Sequence, residues 1–514
     1  MASLVGLLYG NVRRAPDAEV LVAGERRLSY GQLWDMVCAV TGCLREHDLA
    51  PGTRVGILLD NSPEYIAAYY GTLAAGGVAV GLNSHAKARD VLNWLRHCEA
   101  AWLIVSTRHA ALEDIRQQLG HRLRLIVVGE RQAATERELG WSEVMTRRGE
   151  PLLAPDPDAV AAIVYTSGTT GDPKGVTLSH RNLASNVRAI IDYLRLRSDD
   201  RVLHLLPFYY SYGNSVLHTH LAAGACLVLE DGLVYPHRVL SRMVAERVTG
   251  FSGVPSTFAL LLSRTRLADY DLSRLRYVTQ AGGAMAPALV ARVREALPHV
   301  ELFVMYGQTE ATARISYLPP SMLDSKPGSV GIPLPGTEIA IRSADGEPVA
   351  VGDSGEIWVR GPHVMQGYWG NPAATAQVLV DGWLRTGDLG HIDADGFLYI
   401  DGRASDMIKT GAHRVSPMEI EEVVAELVGV AEVAAVGVPD EVMGQLIKVV
   451  VVPMPGYALE ARDVLAHCRQ YLPLYKIPKY VEFADELPRT ASGKVQRFRL
   501  ETAPELAQAT GTGV

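Results

Sequence analysis

Cysteine is scarce in this chain. Five residues in 514 (Cys38, Cys43, Cys98, Cys226 and Cys468) are scattered, odd in number and never at CxxC or zinc-finger spacing. That excludes a disulfide framework and a thiolate zinc site, and leaves reduced, mostly buried thiols as the expectation. Positive charge is not in excess either. The net charge is −8 and the isoelectric point about 6.0, so nothing global favours a nucleic acid or an anionic membrane as partner. No apolar run reaches the ~18 residues of a membrane span. The apolar start, residues 3–9, lacks a preceding basic stretch, because Arg13 and Arg14 follow it, so no signal peptide is read there. A cytoplasmic protein is expected. Internal repeats and low-complexity tracts are missing as well, and residues 508–514 read as a disordered tail.

What is present is an ordinary globular balance, 48% hydrophobic and 21% charged, over a length that calls for more than one domain. Apolar β-type runs at 54–59, 102–105, 123–128, 160–165, 202–206, 226–229, 277–279 and 302–305 alternate with helical patterns. One such pattern, 62–71, opens with Ser62 as N-cap and Pro63 at the first helical position. Alternation of this kind predicts layered α/β structure with parallel sheets. After about residue 335 the strands become shorter (356–360, 397–400) and are punctuated by Gly and Asp, which predicts a β-rich subdomain. From Arg403 a helix opened by Ser416-Pro417, strands at 433–438 and 447–452 and a helix at 460–471 compose a small α+β unit. The expected division is a large domain, 1–402, and a small domain, 403–514.

The most unusual stretch is Thr166-Ser167-Gly168-Thr169-Thr170-Gly171-Asp172-Pro173-Lys174-Gly175, directly after the buried run 160–165. Glycines let a backbone approach a ligand closely, successive N–H groups can form an anion nest, and the hydroxyls and Lys174 add donors and a charge. Together they suit a polyphosphate; a flexible surface turn is the plain alternative. A Walker A loop does not fit, since Gly175 follows Lys174 where a Ser or Thr would hold magnesium, and 176–179 alternate like a strand instead of opening a helix.

Further motifs stand downstream in order: Tyr306-Gly307-Gln308-Thr309-Glu310, Thr386-Gly387-Asp388, Gly402-Arg403, the run Ile-Lys-Thr-Gly-Ala-His-Arg-Val from Ile408, and Pro488 through Ser492-Gly493-Lys494. With the 165–175 stretch, they resemble the adenylate-forming (AMP-binding) superfamily, which joins acyl- and aryl-CoA ligases with stand-alone adenylation enzymes. The similarity runs from about Leu28 to Arg499. It implies a large α/β domain and a mobile small one, with ATP and Mg²⁺ as requirements. It also implies a nucleotide site of Thr166, Ser167, Gly168, Thr169, Thr170, Gly171, Lys174, Gly283, Tyr306, Gly307, Thr309, Asp388, Arg403 and Lys494. Within it Glu310 would bind the metal, Tyr306 would pack against adenine, Thr309 would contact phosphate, and Asp388 and Arg403 would hold the ribose. Lys494 would be the catalyst of adenylation, with Thr166 and Glu310 beside it. Without the family, Asp388 reads as a turn acid and Lys494 as an exposed hairpin lysine.

In the family the small domain first delivers its lysine and then rotates to present the 409–415 loop to a thiol. The chain departs from the family's pattern at three points. Ser405 stands where a hinge Asp or Lys is usual. Ala412, beside Lys409 and Gly411, stands where glycine usually lines the pantetheine tunnel. Tyr210 replaces a histidine at the mouth of the acid site. That region holds no acid to pair an ammonium, which disfavours α-amino acids. Tyr210, Tyr212, Asn214, Ser256, Gly282 and Met305 are the expected acid-pocket residues, with plain core aromatics as the alternative for the tyrosines. His218-Thr219-His220 lacks further ligands for a metal, and His180 reads as structural. The expected reaction is ATP-dependent formation of an acyl adenylate with release of pyrophosphate, then transfer to a thiol. CoA is the expected acceptor, because no carrier domain is fused after Lys494. The phosphopantetheine of a separate acyl-carrier protein and an amine are alternatives, and a catalytically dead nucleotide-binding protein is the reading from another class.

Overall fold

The computed structural model describes residues 3–130, 135–166, 174–403, 406–411, 413–440, 443–490 and 493–502. Ser167, Gly168, Thr169, Thr170 and Gly171 of the glycine-rich loop, together with Ser405, Ala412 and the tail 508–514, lie outside them.

Three sheets carry the fold. The first has eight strands in the spatial order Gly367–Tyr368, Lys174–Ser179, Val160–Thr166, Val78–Gly81, Arg54–Leu58, Trp102–Ser106, Arg124–Val128 and Glu138–Gly140. It is parallel from Val160–Thr166 outward through Glu138–Gly140. The glycine-rich loop is not a strand-to-helix turn. The strands on either side of it, Val160–Thr166 and Lys174–Ser179, pair antiparallel, with Thr166 opposite Lys174.

The second sheet has fourteen strands and two textures. Glu19–Ala23, Cys226–Leu229, Arg201–His204, Gly250–Gly253, Tyr277–Gln280 and Glu301–Tyr306 run parallel. The order then continues without a break into antiparallel strands, Ser316–Leu318, Ser329–Pro333, Leu398–Arg403, Trp383–Ile392, Gly355–Arg360 and Glu338–Arg342. The change of pairing falls between Glu301–Tyr306 and Ser316–Leu318, ahead of the change of sequence texture near residue 335, and the strands after 335 continue the same sheet.

Two helices with almost no exposed face lie in the core between these sheets. Helix Pro63–Ala75 starts where Ser62 Oγ accepts from the Tyr65 N–H, and ends at Gly76 with φ +90°. Nearly every residue of it is buried, as in helix Ser211–Ala223; apolar residues all round a helix require cover on all sides. They meet through Tyr70, whose hydroxyl lies 2.9 Å from His218 Nδ1, and through Tyr65, whose ring lies 5.3 Å from Phe208. His220 bonds Tyr277 Oη at 2.6 Å and Val216 O at 2.7 Å, so both histidines serve the packing. Burial pushes their pKa values down to about 3 for His218 and about 4 for His220; His180, also buried, falls to about 4.

The third sheet belongs to the C-terminal unit. Its strands are Ile408–Thr410, His413–Val415, Val430–Asp440, Gly444–Pro453 and Tyr480–Phe483, packed on helices Pro417–Ala425 and Ala461–Tyr471 around their own core of Ile408, Ile420, Val424, Val449, Val464 and Cys468. The large sheet's strand ends at Arg403 and the small sheet begins at Ile408. No helix among the described residues is long and apolar enough to cross a membrane.

Candidate active site

The motifs converge where the strands of the first two sheets end. Tyr306 closes strand Glu301–Tyr306 and donates its hydroxyl to Asp388 Oδ2 at 2.6 Å. Asp388 stands opposite Arg403 across an antiparallel pair, and Arg403 Nε donates to its other oxygen at 2.8 Å. Both oxygens of this buried carboxylate are therefore oriented before any ligand arrives. Asp388 raises the pKa of Arg403, and burial, with the Asp388 charge next, pushes the Tyr306 hydroxyl far above its ordinary range. Tyr306 therefore stays protonated and Arg403 stays charged across the physiological range, and each Asp388 oxygen keeps a spare acceptor lone pair.

A second group forms around Glu310. Strand Gly367–Tyr368 pairs with Lys174–Ser179, setting Tyr368 beside Val176. From there Tyr368 donates its hydroxyl to Glu310 Oε1 at 2.9 Å, and the Lys174 ammonium lies 5.6 Å from the centre of its ring. Tyr368 thus ties the lysine of the glycine-rich hairpin to the acid of the Tyr306–Glu310 motif. Thr309 Oγ1 donates to Ser211 Oγ at 3.1 Å, linking that motif to the first turn of helix Ser211–Ala223. Sequence reasoning missed Tyr368 and Ser211, since neither stands in a motif and each acts through a partner distant in the chain.

Magnesium takes one or two carboxylates and completes its shell with water and substrate phosphates. A lone oriented carboxylate, Glu310, beside a lysine-bearing hairpin fits that requirement. Among the described residues no group of three or more His, Cys, Asp and Glu could hold a metal without such a substrate.

Lys494 reaches this cluster from the C-terminal unit. It sits in a tight hairpin in which its N–H donates to Thr490 Oγ1 at 3.1 Å and its carbonyl accepts from the Thr490 N–H at 2.8 Å. Arg489 braces the turn, donating to Gly493 O and to Glu432, both at 2.7 Å. The hairpin docks on the large unit: a Cβ placed on Gly493 would lie 2.9 Å from Val254 Cγ2 and 3.8 Å from Ser256 Oγ. Lys494 keeps solvent access on one side. Loss of solvation lowers its pKa, Arg403 lowers it further, and Asp388 and Glu310 pull it back up.

Among the expected acid-pocket residues, Tyr212 is buried and bonds Thr279 O and Oγ1 at 2.9 and 2.8 Å. Met305 Sδ accepts from Tyr193 Oη at 2.9 Å. Asn214 is buried near Tyr69, Tyr210 packs on Tyr209 with ring centres 4.5 Å apart, and Gly282 and Gly283 follow strand Tyr277–Gln280. Gly307 follows Tyr306 at the strand end. Lys409 and Gly411 are not drawn in: the Lys409 N–H donates to Gln445 Oε1 and that of Gly411 to Met443 O, both within the C-terminal unit.

This arrangement has a family. The AMP-binding enzyme family matches residues 8–369, and the AMP-binding enzyme C-terminal domain matches residues 419–494. The chain belongs to the AMP-binding enzymes. Among curated members it is 36% identical over 496 residues to a feruloyl-CoA synthase of an Amycolatopsis species, covering 95% of this chain and 97% of that one. It is also 36% identical to an indoleacetate–CoA ligase of Aromatoleum aromaticum, covering 92% of each. Among solved AMP-binding enzymes, the anthranilate CoA ligase AuaEII in complex with anthranoyl-AMP superposes with a TM-score of 0.89 at 28% identity, over 97% of this chain and 96% of that chain. The layered α/β large part and the separate C-terminal unit are thus the fold of this family.

Proposed function

We propose that this chain is an AMP-forming acid–thiol ligase that uses ATP to activate a carboxylic acid and passes the acyl group to CoA. The observation that carries the reading is that the Lys494 turn docks on the large unit at Val254, with Glu310, Asp388 and Arg403 within electrostatic reach of its ammonium. CoA as acceptor is supported by the activities printed for the relatives. Domains of 1–402 and 403–514 are supported by the exchange of sheet membership between Arg403 and Ile408. Cytoplasmic placement is supported by the substrates and by five unpaired thiols.

In the first half-reaction a carboxylate oxygen attacks the α-phosphorus of ATP, the bond to the bridging oxygen breaks, and pyrophosphate leaves with the electron pair. Charge grows on the phosphoryl oxygens and on the leaving group, so fixed cations and donors lower the barrier. Asp388 and Arg403 would hold the ribose, and Gly283, Tyr306 and Gly307 would border the adenine. Thr166, Lys174 and Thr309 would meet the phosphates, and Lys494 would bridge the carboxylate and the α-phosphate. Glu310 would hold magnesium, which would supply charge neutralisation on the phosphates. In the second half-reaction the thiol sulfur attacks the acyl carbon, the carbon–oxygen bond to AMP breaks, and the thiol proton passes to solvent. Tyr210, Tyr212, Asn214, Ser256, Gly282 and Met305 would surround the acid. Lys409 and Gly411 would face the thiol after the C-terminal unit turns.

The test is acid-dependent ATP–pyrophosphate exchange across aryl, aliphatic, hydroxy and β-amino acids without acceptor, followed by addition of CoA, a pantetheinylated carrier protein or an amine. Exchange with one class and AMP release on CoA addition is the expected outcome. Transfer only to a carrier or an amine would move the acceptor. Silence across the panel with ATP bound would leave a dead nucleotide-binding protein.

A further inference from the structure

Arg314 lies four residues after Glu310 and is buried. It is a permanent cation with five donors. Its Nε points at Met305 Sδ at 3.2 Å, one terminal nitrogen at Ala313 O at 3.4 Å and the other at Ser215 Oγ at 3.5 Å. Its guanidinium carbon stacks 4.4 Å from the centre of the Tyr212 ring. Sulfur is a weak acceptor, the two oxygen contacts are long, and a ring face offers no lone pair. No ion pair joins Arg314 to any carboxylate among the described residues. Buried carboxylates elsewhere do have a cation: Glu138 pairs with Arg116 and Asp200 with Arg276. A desolvated guanidinium without an anion is costly to a fold unless a ligand supplies the charge.

Its place says which ligand. Tyr212 follows Ser211, the partner of Thr309, and Met305 precedes Tyr306, the partner of Asp388. Arg314 therefore stands directly behind the residues that gather at the adenylation centre, against two of the residues read as bordering the acid. Successive strand residues face opposite sides of a sheet, so Met305, which Arg314 meets, faces away from the side that Tyr306 takes.

We propose that Arg314 receives a second carboxylate, at the end of the substrate away from the reacting one, so that the acid is a dicarboxylic acid. This rests on the reading of the chain as an acid-activating enzyme. The polar partners of the guanidinium, Met305, Ala313, Ser215 and Tyr193, are all neutral, and binding the second carboxylate gives it a two-point charged hydrogen bond. A substrate ending in a methyl or an ester leaves the guanidinium buried and unpaired, and a site built to bond a polar group discriminates strongly against analogues lacking it.

The experiment measures ATP–pyrophosphate exchange with linear dicarboxylic acids from malonate to suberate, each against its monomethyl ester, for the wild type, Arg314→Met and Arg314→Lys. The expected wild type favours one diacid over its half-ester by about 100-fold in kcat/KM. The expected ratio collapses toward unity in Arg314→Met and is intermediate in Arg314→Lys, which keeps the charge without the fork. An unchanged ratio in Arg314→Met, or a wild type that activates monocarboxylic acids without preferring any diacid, overturns the proposal and leaves the ligase reading standing. Failure of every acid to support exchange sinks the ligase reading. The proposal is then read by thermal shift, a diacid raising the Tm of the wild type but not of Arg314→Met; no shift in the wild type overturns it. If Arg314→Met does not fold, the wild-type ratio and Arg314→Lys decide.

Discussion

Two glycine turns of the C-terminal unit, at Gly493 and at Gly411, are built alike and placed differently. Both are hairpin-like, both hold a glycine at positive φ (+83° and +58°), and a lysine lies close by each in sequence. The Gly493 turn packs on Val254 and Ser256 and carries Lys494 to Glu310, Asp388 and Arg403. The Gly411 turn has its bonding partners, Gln445 and Met443, inside its own unit. A rigid unit can dock one of its faces at a time, so on the proposed reading this orientation would serve acid activation and another would serve thiol transfer.

The largest expected break in that comparison is Lys494→Ala. Removing a cation that meets the developing charge should cut acid-dependent exchange by about 10³-fold while thioester formation from supplied acyl adenylate persists; equal loss in both assays would remove the distinction between the turns. Gly493→Ala probes the same docking without touching the ammonium. Its Cβ meets Val254 and forces an alanine to positive φ, a strain of about 1–2 kcal/mol or roughly tenfold, expected in exchange and not in thiol transfer. Gly411→Ala is the mirror experiment. It should slow transfer from supplied adenylate by several-fold and leave exchange at the wild-type rate, and stopped-flow measurement of each half-reaction separates the two.

The smallest effect is in pH. Only the ammonium form of Lys494 stabilises the phosphoryl charge, and the cleft lowers its pKa from the ordinary 10.5. Exchange should therefore fall as pH rises through a value below 10.5, and this alkaline limb should vanish in Lys494→Ala. A limb at or above the free-lysine value would place the ammonium in open solvent instead.

Much of this could be read from the chain. The run 54–59 is a strand ending at Leu58, Ser62 and Pro63 do open a helix, and the ordered motifs carried the family resemblance. Other features were not legible. Tyr368 looked like one more aromatic in a glycine-rich stretch until pairing with Val176 set it between Lys174 and Glu310. The run 202–206 stops as a strand at His204, because the chain turns there into the loop before helix Ser211–Ala223. Arg314 carries no local sign of burial: an arginine among small residues reads as surface.

By itself the order of residues determined which segments extend, which coil, and which chemical groups are available, because backbone preference, capping and apolar period act over a few neighbours. Only the tertiary structure decided that Asp388 has both oxygens occupied, that Lys494 faces the ATP motifs in place of Lys409, and that Arg314 has no carboxylate partner among the described residues. Pairing, desolvation and charge balance depend on atoms brought together from separate segments of the chain, and no local rule contains them.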